Sequence, residues 1–350
     1  MPRSRQLAVL TVAVIGLGLT PTTLQATLDM PTLAPPVAEA ATGTTVRVAT
    51  FNVRTARALQ DKHSWVQRAP RVAREILARN PGVVAVQELG PGRADGRKGT
   101  LGGTQRQTDS LTSTLARLGG ARYKLVRTTS YVAPGTPHGT QGTRILYDSA
   151  RYSLRSNCSD TTGRRSFSAS CAIELPVAAG DSKKLQRSAA YARFQDRRTG
   201  RSFFVVSAHL DSRHSTSAAT EAKYNALRAR QAATIADTVA GVNTGGLPVV
   251  FGGDINSWQT DRGRYAPHRA LVARGYRDAT TAKQRVNHAY PTINHFRTAV
   301  KKSARSSGGV RLDVLMVKGG HGVKRYENKL SAVNAARASD HNLVLADVVL

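Results

Sequence analysis

Acidic residues are scarce in this 350-residue chain, 22 Asp plus Glu against 51 Lys plus Arg, so the few carboxylates set directly against apolar runs stand out. Glu88 closes Val83-Val-Ala-Val-Gln87, and Asp254 follows Leu247-Pro-Val-Val-Phe-Gly-Gly253. Asp313 lies inside Arg311-Leu-Asp-Val-Leu-Met-Val317, and Asp340 opens Ser339-Asp-His-Asn-Leu-Val-Leu345. Two histidines are placed alike: His209 closes Phe203-Phe-Val-Val-Ser-Ala208, and His341 adjoins Asp340. A carboxylate at a strand end is costly to desolvate unless a metal or a cation accepts it, and four such positions suggest one shared site. Oxygen ligands suit a hard cation, Mg²⁺, Mn²⁺ or Ca²⁺, while the lack of clustered Cys or closely spaced His argues against zinc. A hard cation, acids and histidines on a basic protein point to cleavage of a phosphate ester. Taken singly, each residue has a plainer reading: a turn or cap for a lone Asp, a satisfied structural side chain for a lone His.

The elements that must hold these residues are strands whose ends are fixed and whose loops stay accessible. Apolar runs rich in Val, Ile and Phe predict strands at 46–53, 83–87, 123–127, 144–147, 189–194, 203–208, 248–251, 311–317 and 342–349. Their alternation is too irregular for one solvent-facing side, so covered sheets are expected. Helices are expected at 64–79, 109–118, 217–239 and about 268–274. In the third, Leu227, Ile235 and Val239 share one face, while Arg228, Arg230 and Asp237 are expected to reach water. The Gly-rich basic stretches 90–107 and 301–309 read as exposed loops. No composition break divides the chain after residue 41, so residues 41–350 read as one α/β domain.

The formal charge of +29 favours an acidic polymer or surface as partner, although Arg supplies 39 of the 51 cations and a genomic bias toward Arg would produce part of that excess. Residues 1–40 carry a secretory layout: Arg3 and Arg5 precede an uncharged apolar run over 7–19, then a Pro/Thr/Ala-rich stretch, with cleavage after Ala40 or Ala26. That run is shorter than the roughly 20 residues of a membrane-spanning helix, so no anchor is read and a secreted protein is expected. The only cysteines, Cys158 and Cys171, suit one local disulfide in an oxidising compartment and are too few for a structural zinc site.

Six short motifs occur in order: Thr50-Phe-Asn-Val-Arg54, Val86-Gln-Glu88, Ser207-Ala-His-Leu210, Gly253-Asp-Ile-Asn256, Arg311-Leu-Asp-Val314 and Ser339-Asp-His341. Together they resemble the endonuclease/exonuclease/phosphatase superfamily, and the first motif and His209 resemble its deoxyribonuclease I branch. The resemblance spans about residues 46–350 and implies a four-layered α/β sandwich: two packed mixed β-sheets flanked by helices, with the site at one end.

The resemblance implies Glu88 as principal metal ligand, with Asn52 and Asp340 helping to hold the metal or its waters. Asp254 and Asn256 would orient the attacking water and the phosphate. His341, oriented by Asp313, would take a proton or contact the phosphate; His209 would protonate the leaving oxygen; Arg187 would bind the phosphate. Arg54 and Asn256 are further candidate substrate contacts. Mg²⁺ or Mn²⁺ is the expected cofactor, with Ca²⁺ also open. Arg54 stands where abasic-site endonucleases carry an acid, which disfavours dedicated DNA repair. The Glu that supports the branch's second histidine is missing from Thr140-Gln-Gly-Thr143, so His209 is expected to lack an acid partner, and Arg144 has no role derivable from sequence.

A secreted, metal-dependent endonuclease is therefore expected, with nucleic acid as partner, no stable membrane association and no obligatory protein partner. Sphingomyelinase-type phospholipases and lipid or inositol phosphatases share the motifs, but a membrane enzyme would be expected to show apolar insertion loops, and aromatics are only 5%. The remaining alternative is an inactive member of the fold that adheres to anionic polymers.

Overall fold

The computed structural model describes residues 43–56, 62–99, 101–126, 142–156, 171–182, 185–258, 265–297, 299, 302, 310–330 and 337–350. The chain divides into residues 1–42, which hold the expected leader and lie outside the described residues, and Gly43–Leu350. In the second unit the strands are β1 (Thr45–Asn52), β2 (Val83–Gln87), β3 (Tyr123–Val126), β4 (Arg144–Asp148), β5 (Tyr152–Leu154), β6 (Ala172–Glu174) and β7 (Ser188–Asp196). After them come β8 (Ser202–His209), β9 (Val249–Asp254), β10 (Arg277–Asp278), β11 (Gln284–Val286), β12 (Asp313–Lys318), β13 (Gly322–Lys329) and β14 (Leu343–Val349). The helices are α1 (Trp65–Arg79), α2 (Gln107–Leu115), α3 (Ala218–Val242) and α4 (Ala266–Val272).

Strand alternation dictates the layering, because successive side chains point to opposite faces and both faces here are apolar. In β1, Val46 and Val48 face one way and Ala49 and Phe51 the other; in β8, Phe203 and Val205 oppose Phe204, Val206 and Ala208. Val46, Val48, Phe203 and Val205 meet between the sheets, together with Leu315 and Val317 of β12. Ala49 and Phe51 pack under Val72 and Ile76 of α1 and Leu111 of α2, and Phe204 and Val206 pack under Ile235 and Val239 of α3. The result is helix, sheet, sheet, helix: the expected four-layered sandwich. One sheet runs β11-β13-β14-β1-β2-β4-β3 and the other β10-β12-β9-β8-β7-β5, with β6 also paired to β7.

This topology brings the chemistry to one edge. Strands β1 and β2 are parallel, as are β8 and β9, whereas β14 runs antiparallel to β1 and β12 antiparallel to β9. The ends of β1, β2, β8 and β9 therefore lie beside the beginnings of β12 and β14. Register aligns His209 with Asp254, and Asp254 with Asp313. Beneath that edge the sheets are tied by polar side chains: Gln87 Nε2 donates to Ser207 Oγ at 3.1 Å, and Ser207 Oγ donates to the Val86 carbonyl at 2.9 Å.

Three expectations need correction. Arg228 does not reach water; it is fully buried and pairs with Glu221 at 2.8 Å, because α3 turns its first half under the loop that follows β8. The stretch 90–107 is not simply a solvated basic loop: Arg93 is paired with Asp95, and Arg106 donates to the Pro91 carbonyl. Strand β9 continues past Phe251 through Gly252 and Gly253 to Asp254. Gly253 is required there, since a Cβ would stand 2.5 Å from the Ala208 carbonyl of the neighbouring strand. Cys171 is buried and not a free thiol; its expected partner Cys158 lies outside the described residues, as do residues 303–309 of the second basic stretch.

Candidate active site

A cavity of about 450 Å³ opens at the shared strand edge, and Glu88, Arg187, His209, Asp254, Asn256 and His341 all line it. Glu88 sits one residue beyond β2 with φ of +58°, a left-handed turn that swings its carboxylate out of the strand. The turn is braced by Gly142, whose carbonyl accepts from Leu89 N at 2.9 Å. Gly142 has φ of +67°, and a Cβ there would lie 2.6 Å from Leu89 N, so only glycine fits.

Both Glu88 oxygens are engaged. Oε2 accepts from the backbone N and the hydroxyl of Thr55 at 2.9 and 3.0 Å, and Oε1 accepts from Asn52 Nδ2 at 3.1 Å. Burial pushes the Glu88 carboxyl up, but nearby His209, the Thr55 amide, Asn52 and His341 outweigh it and hold the group down at about 2. Asn52 Nδ2 also donates to Asp254 Oδ2 at 3.1 Å, while its Oδ1 accepts from Arg54 N at 3.0 Å. Asn52 thus bridges two carboxylates.

Asp254 is the centre of the cluster. Its Oδ2 lies 3.7 Å from His209 Nε2 and 3.8 Å from His341 Nε2, and its Oδ1 accepts from Asn256 N at 3.0 Å. Burial pushes its carboxyl up against the pull of both histidines. Asn256 is held in turn by donation to the Leu210 carbonyl.

The two histidines differ in what stands behind them. His341 Nδ1 lies 2.8 Å from Asp313 Oδ2. Burial would lower His341, but the Asp313 charge and hydrogen bond prevail and lift it to about 10. His209 Nδ1 has no hydrogen-bond partner among the described residues, and burial together with neighbouring Arg187 pushes His209 down to about 4. Arg187 is buried, with one nitrogen donating to Ser212 Oγ at 2.8 Å and another to the His209 carbonyl.

Asp340 and Arg54 are not among the residues that line the cavity. Arg54 Nε lies 3.7 Å from Asp340 Oδ2, and its guanidinium sits 4.8 Å over the Phe296 ring, which is itself stacked on His63 at 3.8 Å. Arg144 is buried and donates to the Thr143 carbonyl at 2.7 Å. Sequence reasoning missed Thr55, the clamp on Glu88, and Thr292, whose hydroxyl accepts from the Leu312 and Asp313 amides at 3.1 Å and so places Asp313. Thr55, directly after the first motif, was the available signal; Thr292 adjoins no motif.

A hard divalent cation fits this donor set. Glu88 offers an ionised carboxylate to the cavity, with Asp254 joined to it through Asn52, and Mg²⁺ is commonly held by one or two carboxylates plus water. Asp254, Asp313 and His341 form the group of three that could hold a metal among the described residues. Within that group Asp313 and His341 are already hydrogen-bonded to each other.

A tetrahedral anion placed in this cavity would be held by a buried guanidinium and could exchange protons with two imidazoles, which is the equipment of phosphoester hydrolysis. Residues 49–341 match the model of the Endonuclease/Exonuclease/phosphatase family, and the chain belongs to that family, whose members are divalent-metal-dependent hydrolases of phosphoesters. No curated protein matches the chain in sequence.

Solved structures share its fold. A family member from Bacteroides thetaiotaomicron superposes with a TM-score of 0.64 at 18% identity, over 88% of this chain and 98% of that one. The mannosyl-6-phosphatase of the same organism gives 0.60 at 19%, over 87% and 100%. The human Nocturnin catalytic domain with bound sulfate gives 0.54 at 16%, over 87% and 94%.

Proposed function

We propose that this chain is a secreted, metal-dependent endonuclease of the deoxyribonuclease I type, cleaving DNA or RNA with little sequence preference to leave 5′-phosphate and 3′-hydroxyl ends. The observation that carries this reading is the convergence of His209 and His341 on one Asp254 oxygen from opposite sheets. Two imidazoles suit phosphoester hydrolysis, in which water must lose a proton and an alkoxide leaving group must gain one. The charge of +29 suits a long polyanion, whose binding weakens steeply with salt.

In this reading Glu88 holds the cation, assisted by Asp340 and Asn52 through its waters, and the bound cation would neutralise charge on the phosphate. Arg187 neutralises a non-bridging oxygen, and Asn256 and Asp254 orient the phosphate and the attacking water. His341, oriented by Asp313, and His209 move the two protons, one from the attacking water and one to the leaving oxygen. Arg54, held by Asp340 and Phe296, contacts the strand only at the rim. Export is supported by the layout of residues 1–40, and Cys158 with Cys171 would then form the single disulfide.

The test incubates the purified chain with plasmid DNA, RNA, sphingomyelin and mannose 6-phosphate, each with Mg²⁺, Mn²⁺ or EDTA. Nicking of the nucleic acids with either metal and none in EDTA is expected. Exclusive hydrolysis of the lipid or the sugar phosphate would overturn the nuclease reading.

A further inference from the structure

Beyond Ser212 and Asn256, the two cavity residues on the loops after β8 and β9, the same two loops meet again. Two residues past each lie His214 and Trp258, with ring centroids 5.5 Å apart and planes inclined at 50°. His214 keeps 37% of its side chain exposed and Trp258 is half-buried. The loop that carries His214 is fixed from below. Glu221 accepts from Ser215 N at 2.7 Å and lies 3.3 Å from His214 Nδ1. Fully buried Arg228 donates to the Arg213 carbonyl at 2.7 Å. Asp181 and Asp211 both bind Arg213, whose guanidinium lies 4.7 Å over Tyr224. Arg213 is thereby neutralised, and the two inclined rings stand in a place held rigid before any ligand arrives.

We propose that His214 and Trp258 form a stacking shelf for a nucleobase next to the scissile phosphate, a proposal that rests on the nuclease reading. Because the shelf stands two residues along the same loops from the cavity residues Ser212 and Asn256, its occupant would be a base linked to a phosphate held at Arg187. A compact phosphate monoester carries no base to stack there. Stacking on aromatic side chains is tolerant of base identity and, at about 1–3 kcal/mol per base, corresponds to roughly 5- to 150-fold in affinity.

The experiment measures binding of the full chain in EDTA, where turnover is prevented, to a 5′-labelled thymidine octamer and to an abasic octamer with the same phosphates, by fluorescence anisotropy. Equal phosphate number cancels the electrostatic contribution. The wild type is expected to prefer the thymidine octamer about 10-fold. Trp258→Ala is expected to abolish that preference, Trp258→Phe to keep most of it, and His214→Ala to reduce it in a fold with no buried ring removed. The thymidine octamer should also quench intrinsic fluorescence, a report on Trp258 because the other tryptophan, Trp65, is fully buried. Equal affinity of the wild type for both octamers, or an undiminished preference in Trp258→Ala, would overturn the shelf. Plasmid cleavage in Mg²⁺ separates the two ideas: cleavage without base preference refutes the shelf alone, and preference without cleavage upholds the shelf while refuting the nuclease.

Discussion

Replacing Asp313 by Asn tests the charge order of the site. Asp313 lies 2.8 Å from His341 Nδ1, and its side chain is wholly buried. In the folded protein His341 is lifted from 6.5 to about 10. A histidine raised in this way contributes stability that is fully present below about pH 6.5 and lost as pH rises through about 10. Asn keeps the shape and can still accept from the neutral ring, but leaves an imidazolium buried without its counter-charge. Breaking a buried pair typically costs about 3–5 kcal/mol; with Asp254 still near the ring, the lower end, about 3 kcal/mol, is expected at pH 6. By pH 10.5 the difference between variant and wild type should have shrunk to well under about 1 kcal/mol, since the wild-type ring is then largely neutral. Urea unfolding in EDTA at pH 6, 8 and 10.5 measures this directly. In Mg²⁺ at pH 7, hydrolysis by the variant should fall about 10²- to 10⁴-fold, the usual reach of positioned acid–base catalysis. A stability loss equal at all three pH values would refute the paired imidazolium, and activity within tenfold of wild type would refute its part in the reaction.

Glu88→Gln should remove hydrolysis and also the rise in melting temperature that millimolar Mg²⁺ gives the wild type, because a ligand confined to the native state stabilises it by mass action; EDTA should reproduce both losses in the wild type. Gly142→Ala should shift the Glu88 turn, costing about 1–3 kcal/mol of stability together with most of the activity, whereas Gly90→Ala, whose added Cβ would meet nothing closer than 3.8 Å, should be tolerated. Asp278 accepts from Thr280 N, lies 2.9 Å from His268 Nε2 and pairs with Arg311 at 3.2 Å. Burial pushes its carboxyl up, but these partners hold it down at about 2. Its contribution is therefore present above about pH 4 and lost as pH falls through about 2, so Asp278→Asn should lower stability at pH 7 by about 2–4 kcal/mol and flatten the decline between pH 4 and 2 in thermal scans.

The layers were legible because β1, β2, β8, β9, β12 and β14 are apolar on both faces, and only a covered sheet accepts such strands. The clustering of Glu88, His209, Asp254 and His341 was legible because each stands at the end of one of those runs. Strand β13 was not: Arg325, Glu327 and Lys329 are spent in ion pairs on its surface, and a charged strand carries little apolar periodicity. The three-residue strands β5 and β6 are too short to show any. Arg228 misled because helical spacing gives direction but not what lies over a helix, and here a loop does. Thr55 and Thr292 escaped notice because their work depends on contacts with residues distant in sequence.

Arg54, Glu88 and Asn256 all carry positive φ, at +56°, +58° and +47°, a region where glycine is at ease and other residues store roughly 1–3 kcal/mol of backbone strain each. At Glu88 and Asn256, which line the cavity, folding alone would therefore choose a different amino acid. A library of this gene sorted only for heat resistance should drift toward glycine at position 88, while one sorted for hydrolysis should refuse it. The point where those two selections part company marks how much stability the chain has surrendered to keep a carboxylate turned outward.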